Sequence, residues 1–363
     1  MYGIVFVERG EYVGRRLFFI QNQKMKHRLR TCQFVHMMFN DKFCAPFVDF
    51  LNRNFNPDEH LVICKRWFKE HPFPHGSNVI EVKNLKHVDF SHKNIKKVIC
   101  HSLFDGELVQ YLYDHPDILK KKAYWVMWGG DLYEAPRDKV NDFVRKNFRG
   151  YLGTGDEIYA AQKYKIKSGT FYDVMYNFPV NVAILDQTKS ESHDFIKIQI
   201  NNSSDKSTLE MLDVLSKFRS EKLKVTTVIS YGKKEYNEQI ISKGRKLFGN
   251  NFEYIDTLMT PECYADHLAK NDILVLYQNR QQGFGNTLAS LCLGKKVFIK
   301  SNIGVYSWLN KQNIHVYDSN TISSLSFDEF ISYDDKAGTV SNVKSIFCER
   351  TMARMWEKCF DDK

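Results

Sequence analysis

The chain of 363 residues is 43% hydrophobic and 26% charged, a balance typical of soluble globular proteins, and it is long enough for two domains of ordinary size. No apolar run approaches the roughly 20 residues that a membrane-spanning helix needs, and the N-terminal stretch lacks the small-residue cleavage site of a signal peptide. We therefore expect a cytoplasmic protein. The eight cysteines lie singly, without C-x-x-C spacing, which predicts reduced packing residues rather than disulfides or zinc ligands.

The net charge of +9 is concentrated in the first half of the chain. Residues 1–181 contain 28 Lys+Arg against 20 Asp+Glu, whereas residues 182–363 contain 24 against 23. A basic half with aromatic residues suits an anionic membrane surface, a phosphorylated substrate or nucleic acid, or is simply a solvated surface. Nucleic acid is the weaker interpretation, because the basic residues are dispersed and no nucleic-acid-binding motif is present.

Short apolar runs alternate with segments of helical spacing along most of the chain. Residues 1–30 lack a sustained period and are predicted to form an N-terminal extension. In the first half, strands are predicted at 32–38, 60–64, 79–82, 97–100 and 123–127, with helices over 43–55 and 103–115. After a pause around Pro179, strands are predicted at 195–200, 225–229, 251–255, 273–277 and 296–299, with helices over 207–217, 236–248, 261–269 and 287–293.

Strand alternating with helix implies mostly parallel sheets covered on both faces, so the predicted fold class is α/β. We expect two domains, residues 31–181 and 182–340, with a cleft between them. The final helical stretch, residues 341–363, is predicted to pack back on the first domain.

The segment N-R-Q-Q-G-F-G-N-T, residues 279–287, follows a predicted strand, where ligands of open parallel sheets bind. Gly283 and Gly285 would let the backbone approach a ligand, and Asn286 would cap a helix that begins at Thr287. The glycines alone fit a plain turn, but Arg280 beside a helix N-terminus favours a phosphate site. The residues assigned to this site are Arg280, Gln281, Gln282, Gly283, Gly285 and Asn286.

Two more polar loops follow strands of the second half. N-N-S-S-D-K-S-T, residues 201–208, suits either a diphosphate or a helix N-cap near Ser207, and S-Y-G-K-K-E-Y, residues 230–236, suits a nucleoside. Because the carboxyl ends of parallel strands share one edge of a sheet, all three loops are expected on that edge. The ligand candidates here are Asn201, Asn202, Ser203, Tyr231 and Gly232.

In the first half, W-V-M-W-G-G-D-L-Y, residues 125–133, ends a predicted strand. Its paired glycines predict a tight turn that presents Asp131 at the strand's carboxyl end, where a carboxylate would accept a proton from an attacking hydroxyl. Alternatively, Asp131 only caps the turn and the aromatic residues only pack. Secondary candidates for acceptor binding are His36, Asp41, Lys42 and His101, although a lone histidine at a strand end is more often structural.

Several motifs are missing. The sequence has no D-x-D triplet, no G-x-x-x-x-G-K-[ST], no H-E-x-x-H and no Rossmann G-x-G-x-x-G. We therefore expect neither a metal nor a cofactor, and a bound diphosphate would be neutralised by N–H groups and basic side chains.

Together, W-V-M-W-G-G-D-L-Y, N-N-S-S-D-K-S and N-R-Q-Q-G-F-G-N-T resemble the TDP-4-N-acetylfucosamine:lipid II N-acetylfucosaminyltransferase family of bacterial glycosyltransferases. The resemblance extends from about Phe34 to about Tyr317. It implies a GT-B fold, in which two Rossmann-like domains face a central cleft and bind the acceptor and the nucleotide sugar without an essential metal. By matching position, the acceptor side would include Trp128, Gly129, Gly130, Asp131 and Tyr133, and the donor side Arg280, Gln281, Gln282, Gly283 and Gly285.

The resulting hypothesis is transfer of a 4-N-acetylfucosamine-like sugar from a dTDP-sugar to a saccharide on a polyprenyl diphosphate, in enterobacterial common antigen or O-antigen synthesis. Asp131 would act as base, Arg280 would stabilise the leaving diphosphate, and the basic first half would contact the inner face of the cytoplasmic membrane. Nucleic acid is not an expected partner. Two alternatives stay open: a sugar-nucleotide isomerase or epimerase on the same fold, and a non-catalytic protein that binds anionic glycans.

Overall fold

The computed structural model describes residues 23–189, 194–202, 205–230, 232–333 and 338–362. The described chain forms two compact units. Unit 1 contains the residues up to Gly153, 159–177 and those from Ala353 onward, and unit 2 contains 154–158 and 178–352. Most of the predicted N-terminal extension, residues 1–22, lies outside the described residues.

Unit 1 is built on a parallel sheet with the strand order β3-β2-β1-β4-β5-β6-β7. Its strands are β1 (Phe34–Phe39), β2 (His60–Lys65), β3 (Val79–Glu81), β4 (Lys97–His101), β5 (Ala123–Val126), β6 (Gly150–Gly153) and β7 (Thr170–Asp173). The helices up to β7 are α1 (23–31), α2 (Cys44–Asn54), α3 (Gly106–Asp114), α4 (Pro116–Lys122), α5 (Gly130–Tyr133), α6 (Lys139–Lys146) and α7 (Glu157–Tyr164).

Unit 2 is built on a second parallel sheet, with the order β10-β9-β8-β11-β12-β13. Its strands are β8 (Ile196–Ile200), β9 (Leu223–Val228), β10 (Phe252–Ile255), β11 (Ile273–Leu276), β12 (Lys296–Ile299) and β13 (Tyr317–Asp318). Its helices are α8 (Val182–Gln187), α9 (Ser207–Leu215), α10 (Lys234–Phe248), α11 (Pro261–Ala269), α12 (Phe284–Cys292), α13 (Gly304–Lys311), α14 (Phe327–Ile331) and α15 (Thr339–Ile346). The final helix, α16 (Glu349–Asp361), enters unit 1 at Ala353.

The predicted strands and helices are present because their apolar patterns match their burial. All residues of β2, β4, β5, β11 and β12 are buried, as expected of parallel strands covered on both faces. Helix α2 buries Phe47, Phe50 and Leu51 on one face. Helices α3 and α4 are separated at Pro116, which begins the second of them.

The predicted N-terminal extension is wrong in its last part. Residues 23–31 form α1, and its Met25 and Leu29 are 2% and 1% exposed in the hydrophobic core of unit 1. Only these two apolar side chains, one turn apart, reach that core, so the short α1 shows too little periodicity to be recognised.

The sequence patterns also missed β6 and β7. Strand β6 reads G-Y-L-G, and a Cβ atom at Gly150 would lie only 2.3 Å from the ring of Tyr124 on the neighbouring β5. Gly150 is therefore required by a contact across the sheet, although glycine lowers the strand propensity of its own segment. Strand β7 ends the described sheet and is only partly buried, so its apolar signal is weak.

The C-terminal helix completes the core of unit 1. Trp356 is fully buried, and its indole N–H donates to the carbonyl of Met175 at 2.9 Å. The Trp356 ring stacks on His101, with ring centroids 5.7 Å apart, and the Phe360 ring lies 4.8 Å from that of His60. Burial of these large rings makes α16 an integral part of unit 1.

In each sheet the strand order reverses once between two neighbouring strands. In unit 1 the reversal lies between β1 and β4, and in unit 2 it lies between β8 and β11. The loops that leave the carboxyl ends of such a pair run in opposite directions and open a crevice, which is where open α/β sheets bind ligands. The predicted segments 201–208 and 279–287 follow β8 and β11, whereas 125–133 and 230–236 follow β5 and β9, the strands next to β4 and β8.

Candidate functional site

Two of the predicted donor loops meet at the strand reversal of unit 2. The side-chain amide of Asn286 donates to Oδ1 of Asn201 at 3.0 Å, and that of Gln282 donates to the carbonyl of Asn202 at 3.2 Å. The backbone N–H of Asn279 donates to Oδ2 of Asp205 at 2.7 Å. Segments about 80 residues apart in sequence thus form one polar cluster at the carboxyl edge of β8 and β11.

The two glycines of this loop serve contacts within the protein. Gly283 has φ +77°, and a Cβ atom there would lie 2.8 Å from Oδ1 of Asn201. At Gly285 a Cβ atom would lie 2.9 Å from the ring of Phe178. Both positions need glycine for close packing, and Gly283 also needs it for its left-handed backbone.

The predicted cap of α12 is wrong. The helix begins at Phe284, with Gly283 at the N-cap position and no side chain bonded to it, so Asn286 lies inside the first turn. The left-handed Gly283 starts the helix three residues earlier than the expected Thr287. No side chain among the described residues caps this N-terminus, and a helix end of this kind attracts anions through its first N–H groups.

Lys300 is a site residue that the sequence did not reveal. It follows β12 directly and is 6% exposed, and its Nζ donates to Oδ1 of Asn279 at 2.7 Å. The ammonium group lies 3.7 Å from the ring centroid of Tyr277, which is a cation–π contact. Burial lowers the pKa of Lys300, and the nearby carboxylates of Glu210 and Asp205 oppose that shift. The available signal was a lysine at a strand's carboxyl end, beside the loop of β11.

The third polar loop also reaches this cluster. Gly232, exposed and with φ +102°, would place a Cβ atom 3.5 Å from Oδ1 of Asn237 and 3.7 Å from Nδ2 of Asn202. The Asn202 amide in turn lies 3.4 Å from Asn237, whose own amide donates to the carbonyl of Ile229. Arg280 and Gln281 are half-buried in the same region, whereas Ser203 and Tyr231 lie outside the described residues.

In unit 1, Asp131 is buried rather than presented to solvent. Asp131 is 1% exposed. Its Oδ2 accepts hydrogen bonds from the backbone N–H of Leu103 at 2.8 Å and from the indole N–H of Trp125 at 2.7 Å. Its Oδ1 accepts from the backbone N–H of Trp128 at 2.7 Å. Burial raises the pKa of Asp131, and these hydrogen bonds oppose the shift. The placement favours the alternative in which Asp131 caps the turn, and its role as a base stays a prediction.

The rest of the W-G-G-D-L-Y turn is also tightly packed. Gly129 has φ +66°, and a Cβ atom at Gly130 would lie 2.9 Å from the ring of Phe104. Tyr133 is half-buried, and its ring lies 4.3 Å from that of Tyr159. The paired glycines therefore form the tight turn that the sequence predicts.

Asp41 and Lys42 differ sharply in exposure. Oδ1 of Asp41 accepts from the backbone N–H groups of Phe43 at 2.9 Å and Cys44 at 3.0 Å, and its carboxyl is 9% exposed, so burial raises its pKa. Lys42 is exposed, with its Nζ 5.0 Å from the ring of Phe43. Asp41 thus holds the start of α2, whereas Lys42 is available to an anionic ligand.

The predicted His36 and His101 belong to a buried chain that includes a third histidine. Nδ1 of His36 lies 2.9 Å from Nε2 of His101, and Nε2 of His36 lies 3.0 Å from Nδ1 of His60. Nδ1 of His101 is bonded to the hydroxyl of Tyr176, which accepts from the indole of Trp128 at 3.2 Å. When all the bonds of the chain run in the same direction, all three imidazoles are neutral, and burial, which lowers the pKa of each, favours this arrangement. His36 and His101 are therefore not isolated, since strand pairing brings β1, β2 and β4 together, and their burial agrees with the structural alternative.

Aromatic rings surround the Tyr176 end of this chain, where the ring of Trp128 lies 5.4 Å from that of Tyr176. Phe39 stacks on Trp67 at a centroid distance of 4.5 Å, and its ring lies 6.1 Å from Trp128. Trp67 is 43% exposed and Trp128 is half-buried. The carboxyl edge of the sheet in unit 1 therefore presents flat apolar surfaces beside the Tyr176 hydroxyl, whose pKa burial raises well above its ordinary value.

In the described parts of the chain, no cluster of three or more His, Cys, Asp or Glu side chains is arranged to hold a metal ion. All eight cysteines are free thiols. Within the same described ranges, every helix is too short or too polar to cross a lipid bilayer.

The fold is shared with solved glycosyltransferases. A glycosyltransferase from Rickettsia africae ESF-5 is 12% identical, with a TM-score of 0.62 and coverage of 90% of this chain and 98% of that chain. Anabaena HepE, in complex with UDP and glucose, is 12% identical, with a TM-score of 0.59 and coverage of 92% and 100%. WaaG, a glycosyltransferase involved in lipopolysaccharide biosynthesis, is 12% identical, with a TM-score of 0.52 and coverage of 90% and 98%. The chain thus has the GT-B glycosyltransferase fold, with two Rossmann-like units.

Residues 88–360 match the family described as 4-alpha-L-fucosyltransferase, glycosyl transferase group 56, and the chain belongs to that family. It is therefore a glycosyltransferase of a fucosyltransferase-type family. No curated protein matches it in sequence. The resemblance drawn from the motifs is confirmed at the level of this class, and the match extends further into the C-terminal helix than the motifs indicated.

We expect unit 1 to lose stability as the pH falls below about 6.5. Burial lowers the pKa of His60 and His101 to about 3, and that of His36 well below its ordinary value. Above pH 6.5 the three histidines are neutral in both the folded and the unfolded protein. At lower pH only the unfolded state binds the three protons, which costs up to about 4 kcal/mol of stability per pH unit. Urea unfolding at a series of pH values, followed by tryptophan fluorescence, measures the free energy of unfolding of unit 1, since four of the five tryptophans lie in that unit.

The matched variants for this test are His60→Phe and His75→Gln. His60→Phe removes one of the three titrating groups and should reduce the pH slope by about a third. His75 is exposed, so His75→Gln should keep the wild-type slope. An identical slope in wild type and His60→Phe would contradict the neutral-histidine account.

We expect Asp131→Asn to destabilise unit 1 by about 1–3 kcal/mol, because the new amide group faces three N–H donors. Asp117→Asn is the control, since that carboxylate is exposed on α4. Thermal unfolding and transfer activity should be measured together. An unchanged melting temperature with lost activity would contradict the structural role and support the base.

Proposed function

We propose that this glycosyltransferase moves a deoxy-amino sugar related to 4-N-acetylfucosamine from a dTDP-linked donor to a saccharide carried on a polyprenyl diphosphate. The reaction needs no metal and takes place at the inner face of the cytoplasmic membrane, in the synthesis of enterobacterial common antigen or an O-antigen. The family match supports a 6-deoxy sugar, and the role of WaaG in lipopolysaccharide biosynthesis supports a bacterial surface glycan as product. Nucleic acid is no partner.

The observation that carries the donor assignment is the polar cluster of unit 2. The loops of β8 and β11 meet there beside the uncapped N-terminus of α12 and the buried ammonium group of Lys300. Backbone N–H groups and a basic side chain together stabilise a diphosphate, and they stabilise it more as negative charge develops on the leaving group. Arg280 in the same loop supplies a second cation, and the amides of Asn201, Asn202, Gln281, Gln282 and Asn286 suit the oxygens of the sugar and the nucleotide.

The binding of UDP and glucose by HepE, which has the same fold, supports a nucleotide sugar as the donor. Because diphosphate recognition is common to all such donors, this cluster supports a nucleotide-sugar donor of any kind, and only the family description supports a fucose-like sugar. Gly232 lies beside the amides of Asn202 and Asn237, which suit the hydrogen-bonding edge of a nucleoside. Ser203 and Tyr231 are further proposed ligands of the donor.

The acceptor assignment rests on unit 1. The aromatic rings at its carboxyl edge, including Trp128, offer flat apolar faces to a sugar ring, and the exposed Lys42 offers a cation to the diphosphate of the carrier. The excess of basic residues in positions 1–181 favours an anionic membrane surface. The W-G-G-D-L-Y turn is shaped by Gly129, Gly130 and Tyr133. The strand ends are held in place by His36, His101 and Asp41.

The direct test incubates the purified full-length protein with dTDP-4-acetamido-4,6-dideoxygalactose, GDP-fucose or a UDP-hexose, with and without a short-chain polyprenyl-diphosphate saccharide. We expect dTDP release that depends on the acceptor and persists in EDTA, since cationic side chains and N–H groups replace the metal. Chromatography of the nucleotide and mass spectrometry of the lipid measure both products.

Conversion of the sugar nucleotide without acceptor would contradict transfer and favour the isomerase. Turnover of GDP-fucose alone would overturn the dTDP donor while leaving the enzyme class intact. Loss of activity in EDTA, restored by Mg²⁺, would contradict the metal-independent diphosphate site.

A further inference from the structure

Unit 1 contains a groove that shares only Gly130 and Asp131 with the proposed acceptor residues. It lies between α3 and α6, beside the W-G-G-D-L-Y turn, and has a volume of about 550 Å³. This is within the range of about 300–1,000 Å³ that is usual for small-molecule sites. Its inner wall is apolar, with Leu103, Val109 and Ala135 buried beneath the surface.

The outer part of the groove combines one exposed ring with several planar polar side chains. Phe104 is 48% exposed, an unusual state for a phenylalanine. Around it the groove is lined by the polar residues Gln110, Glu134, Asp138, Asn141 and Arg145. Amide and carboxylate groups of this kind pair donors and acceptors with adjacent hydroxyls of a sugar, and an aromatic ring packs against the apolar C–H face of the same sugar.

Arg145 closes the inner end of the groove. This residue is 1% exposed, and its guanidinium group donates three hydrogen bonds: from Nε to the carbonyl of Asp131, from one terminal nitrogen to Asn141 and from the other to the carbonyl of Leu103. Among the described residues it has no ion pair. A guanidinium group has five N–H bonds, so two remain for a further acceptor.

The charged and polar residues of the groove indicate which class of ligand fits it: an anion, an apolar chain or a neutral hydroxyl-rich molecule. The acidic residues Asp131, Glu134 and Asp138 share its lining with a single basic side chain, which disfavours a phosphate or another strong anion. A purely apolar chain would leave the two remaining N–H bonds of the buried guanidinium without acceptors, which costs free energy. A neutral, hydroxyl-rich ligand satisfies both the polar groups and the exposed ring.

We propose that this groove binds a saccharide unit of the acceptor, one or more sugars away from the hydroxyl that receives the transferred sugar. The inference rests on the proposed function for the identity of the ligand as an acceptor glycan, but the binding of sugar to the groove is separable from transfer. It adds an acceptor subsite that recognises the length of the glycan.

Phe104 links the groove to the acceptor edge of the sheet. Its ring contacts Gly130 of the turn and lies 6.3 Å from the ring of Phe39, which in turn lies 6.1 Å from Trp128. One face of Phe104 thus belongs to the groove while the aromatic residues of the strand edge lie beyond it. A glycan of two or more sugars can extend from Trp128 across Phe104 into the groove.

Gly106 offers a way to block the groove without disturbing the core. It lines the groove at the first position of α3, and a Cβ atom there meets no atom within 4 Å. Gly106→Trp should therefore fill the groove, whereas Gly106→Ala keeps it open at the same position. Both substitutions remove a helix glycine, so neither should lower stability.

The experiment measures saturation-transfer NMR on the full-length protein with three neutral disaccharides, chitobiose, N-acetyllactosamine and cellobiose, in the absence of donor. We expect at least one disaccharide to bind wild type and Gly106→Ala, and to bind Gly106→Trp and Phe104→Ala at least about tenfold more weakly. Tyr159→Ala, which removes an exposed ring elsewhere in unit 1, should bind like wild type.

Failure of any disaccharide to bind wild type, or equal binding to Gly106→Trp, overturns the groove proposal. Equal affinity of wild type and Gly106→Trp for dTDP shows that a lost sugar signal is local to the groove. If the sugar binds as expected but no donor is turned over, the proposed function fails while the groove stands. If transfer proceeds with an unchanged acceptor KM in Gly106→Trp, the function stands and the groove fails as an acceptor subsite.

Discussion

The reversal of strand order within a parallel sheet is the constraint on which both candidate sites depend. Crossovers between parallel strands are right-handed, so a sheet that grows in both directions from one central pair must send the following loops apart at that pair. In unit 1 this pair is β1 and β4, and in unit 2 it is β8 and β11. The constraint brings together residues that are far apart in sequence, such as Asn202 with Gln282 and His36 with His101.

The two edges use this common geometry for different chemistry. In unit 2 the edge carries amides, the uncapped start of α12 and the lysine after β12, which together favour a diphosphate. In unit 1 it carries aromatic rings backed by three neutral imidazoles, whose burial prevents them from holding positive charge near pH 7. The first chemistry suits the charged end of a nucleotide sugar, and the second suits the apolar face of an acceptor sugar. A family of glycosyltransferases needs both.

Much of the fold could be predicted, because buried parallel strands are short apolar runs that stand out between polar loops, as β11 and β12 do. The patterns failed where a distant contact decides the local structure. Gly150 is a glycine because of the Tyr124 ring on another strand, and α12 starts early because Gly283 makes room for Asn201.

The same limit applies to the site. Loops after strands were found as a class, but His60 and Lys300 were missed because only the spatial order of the strands makes them neighbours of the other site residues. The burial of Asp131 could not be predicted either, since its three donors come from two separate segments.

The central claim is that the polar cluster of unit 2 holds the donor diphosphate, and the affinity for dTDP tests it most directly. Lys300→Gln removes the charge but keeps a hydrogen-bond donor for Asn279, and Lys295→Gln is the matched control, a buried lysine just before the amino end of the same strand β12. By isothermal titration calorimetry at constant ionic strength, we predict that Lys300→Gln binds dTDP at least about tenfold more weakly than wild type, because a buried cation at the phosphate is lost. Lys295→Gln should bind like wild type. Equal affinity of wild type and Lys300→Gln, or an equal loss in both variants, would contradict the account.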